Sequence, residues 1–153
     1  MSVYKHVLVP LDGSPTADCG LQEAIRLAGE LGSRLRLLNV VDDFPMLVEI
    51  SSTSSFEAGL QKAREHGESV LSHALARATA AGVEAETVLR EVTQERVAEV
   101  VTDEAAKAAC DLIVMGTHGR RGLSRLALGS DADRVARSSP VPVLLVRAAA
   151  TPA

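Results

Sequence analysis

Short apolar runs alternate with longer segments of helical periodicity along the chain. The runs are rich in Val and Leu and have the length of strands. Five of them are predicted to be strands, at residues 5–11, 34–41, 83–91, 111–115 and 141–147. The segments between them repeat apolar residues at intervals of three and four, which predicts helices. The pattern therefore predicts the order β-α-β-α-β-α-β-α-β.

The predicted first helix carries signals at both ends. Ser14 is suited to the N-cap, Pro15 to the first helical position, and Gly32 to the stop. For the third helix, Thr93 is the predicted N-cap. The inward-facing residues of that helix are predicted to be Val97, Val101, Ala105 and Ala108.

Residues 42–55 show no sustained period and are predicted to form a long loop, of a length that is often functional or mobile. A long helix is predicted from Phe56 to the stop at Gly82. Its predicted buried stripe consists of Phe56, Leu60, Ala63, Gly67, Val70, Leu71, Ala74 and Ala78.

Strands that alternate with helices imply right-handed crossovers and a parallel sheet covered on both faces. The expected fold class is therefore α/β, an open doubly wound sheet. Pro10 fits such a sheet at the end of a strand, because proline lacks a backbone donor. In this class, ligands bind at the carboxyl ends of the strands, near the point where the strand order reverses.

Composition narrows the function classes. Two Phe, one Tyr and no Trp supply few surfaces on which nucleic acid bases could stack. A formal net charge of −4 argues against a general polyanion-binding surface, so a phosphate site would have to be local. Cys19 and Cys110 match no metal or redox spacing and are expected to be buried thiols.

The chain is predicted to form a single domain over residues 1–147, with a flexible tail at residues 148–153. Its first apolar run is too short for a signal peptide, and no run approaches the ~18 apolar residues of a membrane span. The expectation is a soluble, cytoplasmic protein with neither nucleic acid nor a membrane as partner.

Glycine and arginine are concentrated after the fourth predicted strand. Gly116 and Gly119 would let the backbone approach a ligand and adopt positive φ. Gly129-Ser130 opens a helix whose N–H groups and dipole favour an anion. Between Gly119 and Gly129, the segment carries Arg120, Arg121 and Arg125. Together these features indicate a phosphate cradle.

Two common cradles are excluded. The chain contains no GxxxxGK[ST] sequence, so a P-loop is absent. The first strand is followed by Asp-Gly-Ser instead of GxGxxG, so a dinucleotide-binding fold of that type is not indicated.

The spacing Gly116-x2-Gly119-x9-Gly129-Ser130 resembles the nucleotide-binding signature of the universal stress protein family, G-2x-G-9x-G-[S/T]. The likeness extends over almost the whole chain, through VLVPLDGSPTA, LLNVVD, DLIVMGTHGRRGLSRLALGS and SSPVPVLLVR. The resemblance implies a five-stranded parallel sheet of order 3-2-1-4-5, like that of adenine nucleotide alpha-hydrolases. It also implies a homodimer paired through the last strand, residues 141–147.

The resemblance to the ATP-binding branch implies a set of site residues. Pro10, Leu11 and Asp12 would line the base and ribose, with Val40 beside the adenine. The ribose and phosphates would be wrapped by Met115, Gly116, Gly119, Gly129 and Ser130, with Arg120 as a helper. The implied cofactor is ATP, with or without Mg²⁺.

Asp131 departs from the family pattern, which has a small apolar residue after the Gly-Ser pair. A carboxylate suits the first turn of a helix but repels a triphosphate unless a divalent cation lies between them. Three roles stay open for Asp131: pointing away, helping to hold Mg²⁺, or weakening ATP binding.

The function expected from the sequence is that of a dimeric, ATP-binding stress-response or regulatory protein without catalytic residues. A same-fold interaction module that binds no nucleotide and a slow ATPase are the alternatives. Asp12 has a plain reading as a turn residue, and His118 as an exposed loop histidine. Neither a Ser-His-Asp arrangement nor a metal-ligand spacing includes His118.

Overall fold

The computed structural model describes residues 2–43, 53–118 and 128–148. These residues form five strands and four helices in the predicted order. The strands are β1 (His6–Pro10), β2 (Arg34–Asp42), β3 (Ala85–Val92), β4 (Leu112–Gly116) and β5 (Val143–Val146). The helices are α1 (Pro15–Leu31), α2 (Thr53–Ala80), α3 (Val97–Lys107) and α4 (Ser130–Ser138).

All five strands are parallel and are arranged in the order β3-β2-β1-β4-β5. The predicted fold class and strand order are both confirmed. Helices α1 and α2 cover one face of the sheet, over a core that includes Val7, Leu35 and Val114. Helices α3 and α4 cover the other face, over a core that includes Leu8 and Ile113.

The strand pairings have unequal lengths, and this difference opens the carboxyl edge of the sheet. Strands β2 and β3 pair continuously from Leu35 to Asp42. Strands β1 and β4 pair only at Val7 and Leu8. Since the order reverses between β1 and β4, their early separation places a crevice at the topological switch point.

Pro10 lies where this crevice begins. Leu11 donates its N–H to Leu38 of β2, at 2.7 Å, whereas His6 on the other side of β1 accepts from Asp111, just before β4, at 2.9 Å. Because alternate residues of a strand bond to opposite neighbours, Pro10 faces β4. The proline therefore removes a donor at the point where the β1–β4 ladder ends.

The predicted ends of the first helix are confirmed. The Ser14 hydroxyl accepts a hydrogen bond from Ala17 N at 3.2 Å, and Pro15 is the first helical residue. Gly32 ends the helix in the left-handed conformation, with φ of 69°, and donates to Ala28 O at 2.8 Å. These are local signals, and the sequence alone was sufficient to place them.

The predicted cap of the third helix was wrong. Helix α3 begins at Val97, with Arg96 as N-cap, and the Glu99 carboxylate accepts the Arg96 N–H at 3.3 Å. Thr93 instead donates its hydroxyl to Asp43, at 3.0 Å, across the ends of β3 and β2. The competing partner of Thr93 is distant in sequence, so the local pattern could not reveal it.

Helix α2 also begins earlier than predicted, since Thr53 is already helical, and β2 continues to Asp42. The predicted loop is thereby shortened at both ends, and residues 44–52 lie outside the described residues. The buried stripe is confirmed at Gly67, Leu71, Ala74 and Ala78. Its other members are partly exposed: Phe56, Leu60, Ala63 and Val70.

A polar network joins α3 to the outer strands. The Arg36 guanidinium lies 2.8 Å from the carboxylates of Glu86 on β3 and Glu104 on α3, and Arg90 lies 3.0 Å from Glu104. Glu104 is buried, so these partners offset the cost of burying its charge. The hydrogen bond from Arg36 lowers the pKa of Glu86 below its usual value. The network fixes the β2–β3 pair against α3.

Both cysteines are free thiols. Cys110 is buried as predicted, whereas Cys19 is partly exposed. Burial raises the pKa of the Cys110 thiol to about 11, so that it stays protonated at neutral pH. Among the helices that the structure describes, none is long and apolar enough to cross a membrane.

Candidate functional site

The turn after β1 is built around Asp12. The Asp12 carboxylate accepts a hydrogen bond from Ser14 N at 2.9 Å, and Gly13 between them has φ of 83°. This geometry is an Asx-turn leading into the N-terminus of α1. Asp12 is therefore a turn residue, as its plain reading predicted, and its Oδ1 makes the turn's hydrogen bond. The side chain is partly exposed at the crevice, where a ligand could also meet it.

Leu11 contributes to the site through its backbone position only. Its side chain belongs to the core under α1 and α2. Its N–H bonds to Leu38 O, and its carbonyl accepts from Asn39 Nδ2 at 2.9 Å. With these bonds made, Leu11 fixes the path of the chain toward Asp12.

Helix α2 packs against the turn after β1. Gly67 lies so close to Asn39 that an added Cβ would overlap the Asn39 amide oxygen and lie 2.7 Å from Leu89 Cδ1. His66 and Val70, one turn apart on the same helix, lie beside Gly13. A Cβ added at Gly13 would lie 3.2 Å from each of these side chains. Gly67 thus permits the close packing of α2 on the site.

Gly116 has a packing role that the sequence did not reveal. A Cβ atom at Gly116 would lie 2.6 Å from Thr16 O and 2.7 Å from Thr16 C, in the first turn of α1. Gly20 of α1 also faces Gly116, with its virtual Cβ 3.0 Å from Gly116 N. Gly116 does not have positive φ, so the predicted positive φ is wrong for this glycine, and Gly119 lies outside the described residues. Close helix–strand contact explains Gly116.

The N-terminus of α4 is attached to the end of β4. Thr117 donates its N–H to Val146 O at 3.0 Å, and its carbonyl accepts from Gly129 N at 2.8 Å. Gly129 is the N-cap and Ser130 is the first helical residue. The helix thus opens at Gly129-Ser130 as predicted, with Gly129 at the cap and Ser130 inside the first turn. The N–H groups of the first turn have no acceptor within the helix.

His118 lies beside this helix N-terminus. Its Nδ1 is 3.0 Å from the Thr117 hydroxyl, and its Cα would be 3.2 Å from a Cβ at Gly129. The side chain is partly buried, so the predicted exposed loop histidine was wrong. Its place directly after a buried strand was the signal that could have drawn attention to it.

The acidic residues of α4 differ in their surroundings. Asp133 forms an ion pair with Arg137 at 3.0 Å, one turn along the helix. Asp131 lies in the first turn and is partly exposed. The charge of Asp133 is thus paired on α4 itself, and Asp131 is the acidic residue nearer the N-terminus of the helix.

Val40 and Met115 form apolar surface on the α3 and α4 side of the crevice. Met115 is 8% exposed, and Val40 is partly buried and packs against the same core. Pro10 is partly exposed between them in strand order. The structure thus brings apolar residues of β1, β2 and β4 to the edge that the sequence singled out.

Two residues of the predicted site, Gly119 and Arg120, lie outside the described residues, as do Arg121 and Arg125. Within the part of the chain that the structure describes, no three His, Cys, Asp or Glu side chains are grouped to hold a metal ion. A protein-only metal centre is therefore not found among those residues.

Asp43, at the carboxyl end of β2, is a residue that the sequence reasoning missed. The residue is 8% exposed, and one carboxylate oxygen accepts from Thr93. Its other oxygen, Oδ1, has no hydrogen-bond partner among the described residues. An acidic residue just past a buried strand was the available signal.

A polar cavity of about 610 Å³ lies at the opposite edge, among the amino ends of the strands. It is lined by residues such as Lys5, Ser33 and Asp111. The Asp111 carboxylate accepts the N–H groups of Lys5 and His6, at 2.9 and 3.1 Å. Those bonds tie the start of β1 to the residue before β4.

Comparison with known proteins assigns the family. The profile described as "Universal stress protein family" matches residues 3–147. The chain belongs to the universal stress protein family. A universal stress protein of Methanocaldococcus jannaschii is 34% identical over 146 residues, which cover 95% of this chain and 84% of that protein.

Solved structures agree. A universal stress protein family member from Burkholderia pseudomallei is 36% identical, covers 97% of this chain and 99% of its own, and has a TM-score of 0.79. More distant proteins share the fold alone. One from Archaeoglobus fulgidus, solved with dAMP, has a TM-score of 0.66 at 19% identity, and covers 95% of this chain and 99% of its own. One from Arabidopsis thaliana, solved with AMP, has a TM-score of 0.68 at 16% identity, and covers 95% of this chain and 93% of its own.

Proposed function

We propose that this universal stress protein binds an adenine nucleotide, ATP, at the carboxyl ends of β1, β2 and β4. The observation that carries the proposal is the position of α4. Its N-terminus is held at the end of β4 by the bond from Gly129 N to Thr117 O, beside the switch-point crevice. A helix N-terminus at this edge offers N–H donors and a positive dipole end to phosphate.

Relatives with this fold support the choice of ligand. The structures from Archaeoglobus fulgidus and Arabidopsis thaliana are described with dAMP and AMP bound. The glycine spacing from Gly116 to Ser130 adds support from the sequence of this chain. An adenine mononucleotide is thus the ligand class that fits both the fold relatives and the motif.

The proposal assigns parts of the ligand to parts of the crevice. The phosphates would meet the first turn of α4 at Ser130, together with Gly119 and Arg120. The ribose would lie near Asp12, and the base on the apolar surface of Val40. This order follows the strands from β4 through β1 to β2.

The negative charges of the site and of the triphosphate favour a divalent cation between them. Asp12 and Asp131 are both acidic and both partly exposed at the edge that would hold a triphosphate. At 4 Å, two like charges repel by about 4 kcal/mol at an effective dielectric of ~20. Mg²⁺ bound to the phosphates would reduce this repulsion. We therefore propose Mg²⁺–ATP as the bound form, with regulatory binding rather than turnover as its purpose.

ATP is expected to bind at submillimolar concentration, and more tightly with Mg²⁺ than without. Calorimetric titration with AMP, ADP and ATP, each with and without Mg²⁺, measures this directly. Identification of any nucleotide released on denaturation complements the titration. Failure to bind at millimolar ATP would leave an interaction module of the same fold. Release of phosphate over hours would identify a slow ATPase.

We also propose that two copies pair through β5. This strand is one edge of the sheet, and Leu144 is 38% exposed there. An unpaired edge offers backbone donors and acceptors to a second copy. Pairing through one common edge would give a closed two-fold dimer.

Val143→Asp is expected to shift the protein from dimer to monomer, because it places a charge on the proposed interface. Light scattering on a size-exclusion column measures the mass. Thr87→Asp is the control, since Thr87 is exposed on β3, the opposite edge of the sheet. A V143D variant with unchanged dimer mass, or a T87D variant that is monomeric, would count against pairing through β5.

A further inference from the structure

The imidazole ring of His6 has an oxygen beside each of its nitrogens. Its Nδ1 lies 3.1 Å from Ala108 O, at the C-terminal end of α3, and its Nε2 lies 3.1 Å from Glu86 Oε1 on β3. Turning the ring by half a rotation would place carbon atoms against both oxygens, so these two contacts fix its orientation. The His6 side chain is 6% exposed. We call the ring and its two oxygen partners the His6 bridge.

Both partners of the ring are acceptors. A backbone carbonyl only accepts hydrogen bonds, and so does an ionised carboxylate. Glu86 is held in the ionised form, because the hydrogen bond from Arg36 lowers the pKa of its carboxyl group. A neutral imidazole has one N–H and can make only one of the two bonds, whereas the imidazolium has two N–H groups and makes both. The geometry of the bridge therefore favours the charged ring.

Charged side chains on the elements packed around His6 also favour a cation there. They are Arg36 on β2, Glu86 and Arg90 on β3, Glu104 on α3 and Asp111 before β4. The carboxylate of Asp111 accepts the backbone N–H of His6 at 3.1 Å. Within this described set, three carboxylates accompany two guanidinium groups, so an imidazolium makes the set neutral.

The other ionisable groups nearby leave this balance unchanged. Asp103 and Lys107 of α3 pair with each other at 3.0 Å. Cys110 stays uncharged at neutral pH, because burial raises the pKa of its thiol to about 11. Lys5 and Arg34 have exposed side chains, so water and salt screen their charges.

Loss of a proton from the ring would break the contact with Glu86. The Ala108 carbonyl is bound to the backbone and cannot turn away, so the remaining N–H is best used at Nδ1. Glu86 has a side chain that is 50% exposed and keeps Arg36 as a partner at 2.8 Å. Its carboxylate can therefore turn toward water once Nε2 presents a lone pair. His6 lines the polar cavity at the amino ends of the strands, which gives protons a route to the ring.

We propose that the His6 bridge is a pH-sensitive contact that joins β1 to β3 and α3 while the ring is charged, and that releases Glu86 when the ring loses a proton. The inference is independent of the proposed function, because the bridge lies at the edge of the sheet opposite the crevice. A histidine in an unfolded chain loses its charge near about pH 6.5. Below that pH the bridge contributes fully to stability. As the pH rises further, the folded ring gives up its proton and the contribution is lost.

Glu86→Gln tests the bridge, because a glutamine amide can donate to Nε2 of a neutral ring. NMR of the imidazole nitrogens is expected to show two N–H groups on His6 at about pH 7 in the wild type and one in E86Q. From about pH 6 to about pH 8.5, the melting temperature of the wild type is expected to fall by about 2–4 °C relative to that of E86Q.

Glu91→Gln is the matched control. Glu91 is also a carboxylate on β3 that pairs with an arginine, but its partner is Arg64 on α2. E91Q is expected to keep both the doubly protonated His6 and the wild-type dependence of melting temperature on pH. Groups that titrate elsewhere are common to the three proteins and cancel in the comparison.

Three results would overturn the inference: a single N–H on His6 at about pH 7 in the wild type, a wild-type pH dependence in E86Q, or its loss in E91Q. If E86Q is too unstable to measure, the NMR spectrum of the wild type is sufficient. Two N–H groups on the ring then support the bridge, and one N–H group contradicts it.

Discussion

Gly116→Ala is expected to lower the free energy of unfolding by about 3 kcal/mol, at the upper end of the usual cost of overpacking. The new Cβ would lie 2.6 Å from Thr16 O and 2.7 Å from Thr16 C. Both are backbone atoms, so neither can turn aside as a flexible side chain would. Either the end of β4 or the first turn of α1 has to move. Chemical denaturation followed by circular dichroism measures the change.

Gly29→Ala is the control for this experiment. Gly29 is exposed on α1, and a Cβ there would meet nothing within 4 Å. Alanine is favoured over glycine inside a helix, so this variant is expected to gain about 0.5–1 kcal/mol. A Gly→Ala change is thus expected to raise stability at Gly29, on an open face of α1, and to lower it at Gly116, where β4 contacts α1. Equal stability of G116A and wild type would show that the tight contact at Thr16 is absent in solution.

Gly129→Val is expected to weaken ATP binding by about 100-fold, a loss equivalent to roughly 2.7 kcal/mol. A Cβ at this position would lie 2.8 Å from Thr117 O, the acceptor that holds the α4 N-terminus at β4. The added side chain would push the first turn of α4 away from the crevice and remove its N–H donors from the phosphates. Calorimetric titration of ATP measures the loss.

Ala136→Val places the same side chain at an exposed position of α4 and is expected to bind ATP as the wild type does. Melting curves of both variants separate loss of the site from loss of the fold. G129V is expected to remain folded, because its φ of −60° and ψ of 150° are accessible to valine. Wild-type affinity in a folded G129V would place the phosphates elsewhere.

Features that depend on neighbours in sequence were predictable. Ser14, Pro15 and Gly32 mark the ends of α1 through contacts with residues three or four positions away. The alternation of strands and helices likewise yields the parallel sheet, because handed crossovers leave few arrangements open. For these elements, the local pattern and the tertiary structure agree.

Features that depend on distant partners were not predictable. Thr93 has a suitable side chain for a helix cap, yet its hydroxyl bonds to Asp43, 50 positions earlier. Gly116 has a packing reason that involves Thr16, on a different element. In both cases the residue type was read correctly as special, but the partner that explains it is visible only once the fold brings it near.

The candidate site divides in the same way. The sequence located its edge, and the structure places Pro10, Asp12, Val40 and Met115 there. It did not identify Asp43, because burial and an unpaired oxygen are properties of the folded chain. His118 was assigned to an exposed loop, because the sequence does not show that the start of α4 lies beside it.

The proline that ends β1 has a consequence for how the crevice could change over evolutionary time. Any other residue at position 10 would bring an N–H to the mouth of the crevice, on the side that faces β4. That group would compete for the acceptors of an incoming ligand, or would favour one more rung of pairing with β4. Proline does neither. Every single substitution at position 10 thus adds a backbone hydrogen-bond donor, and proline keeps the mouth of the crevice free of one.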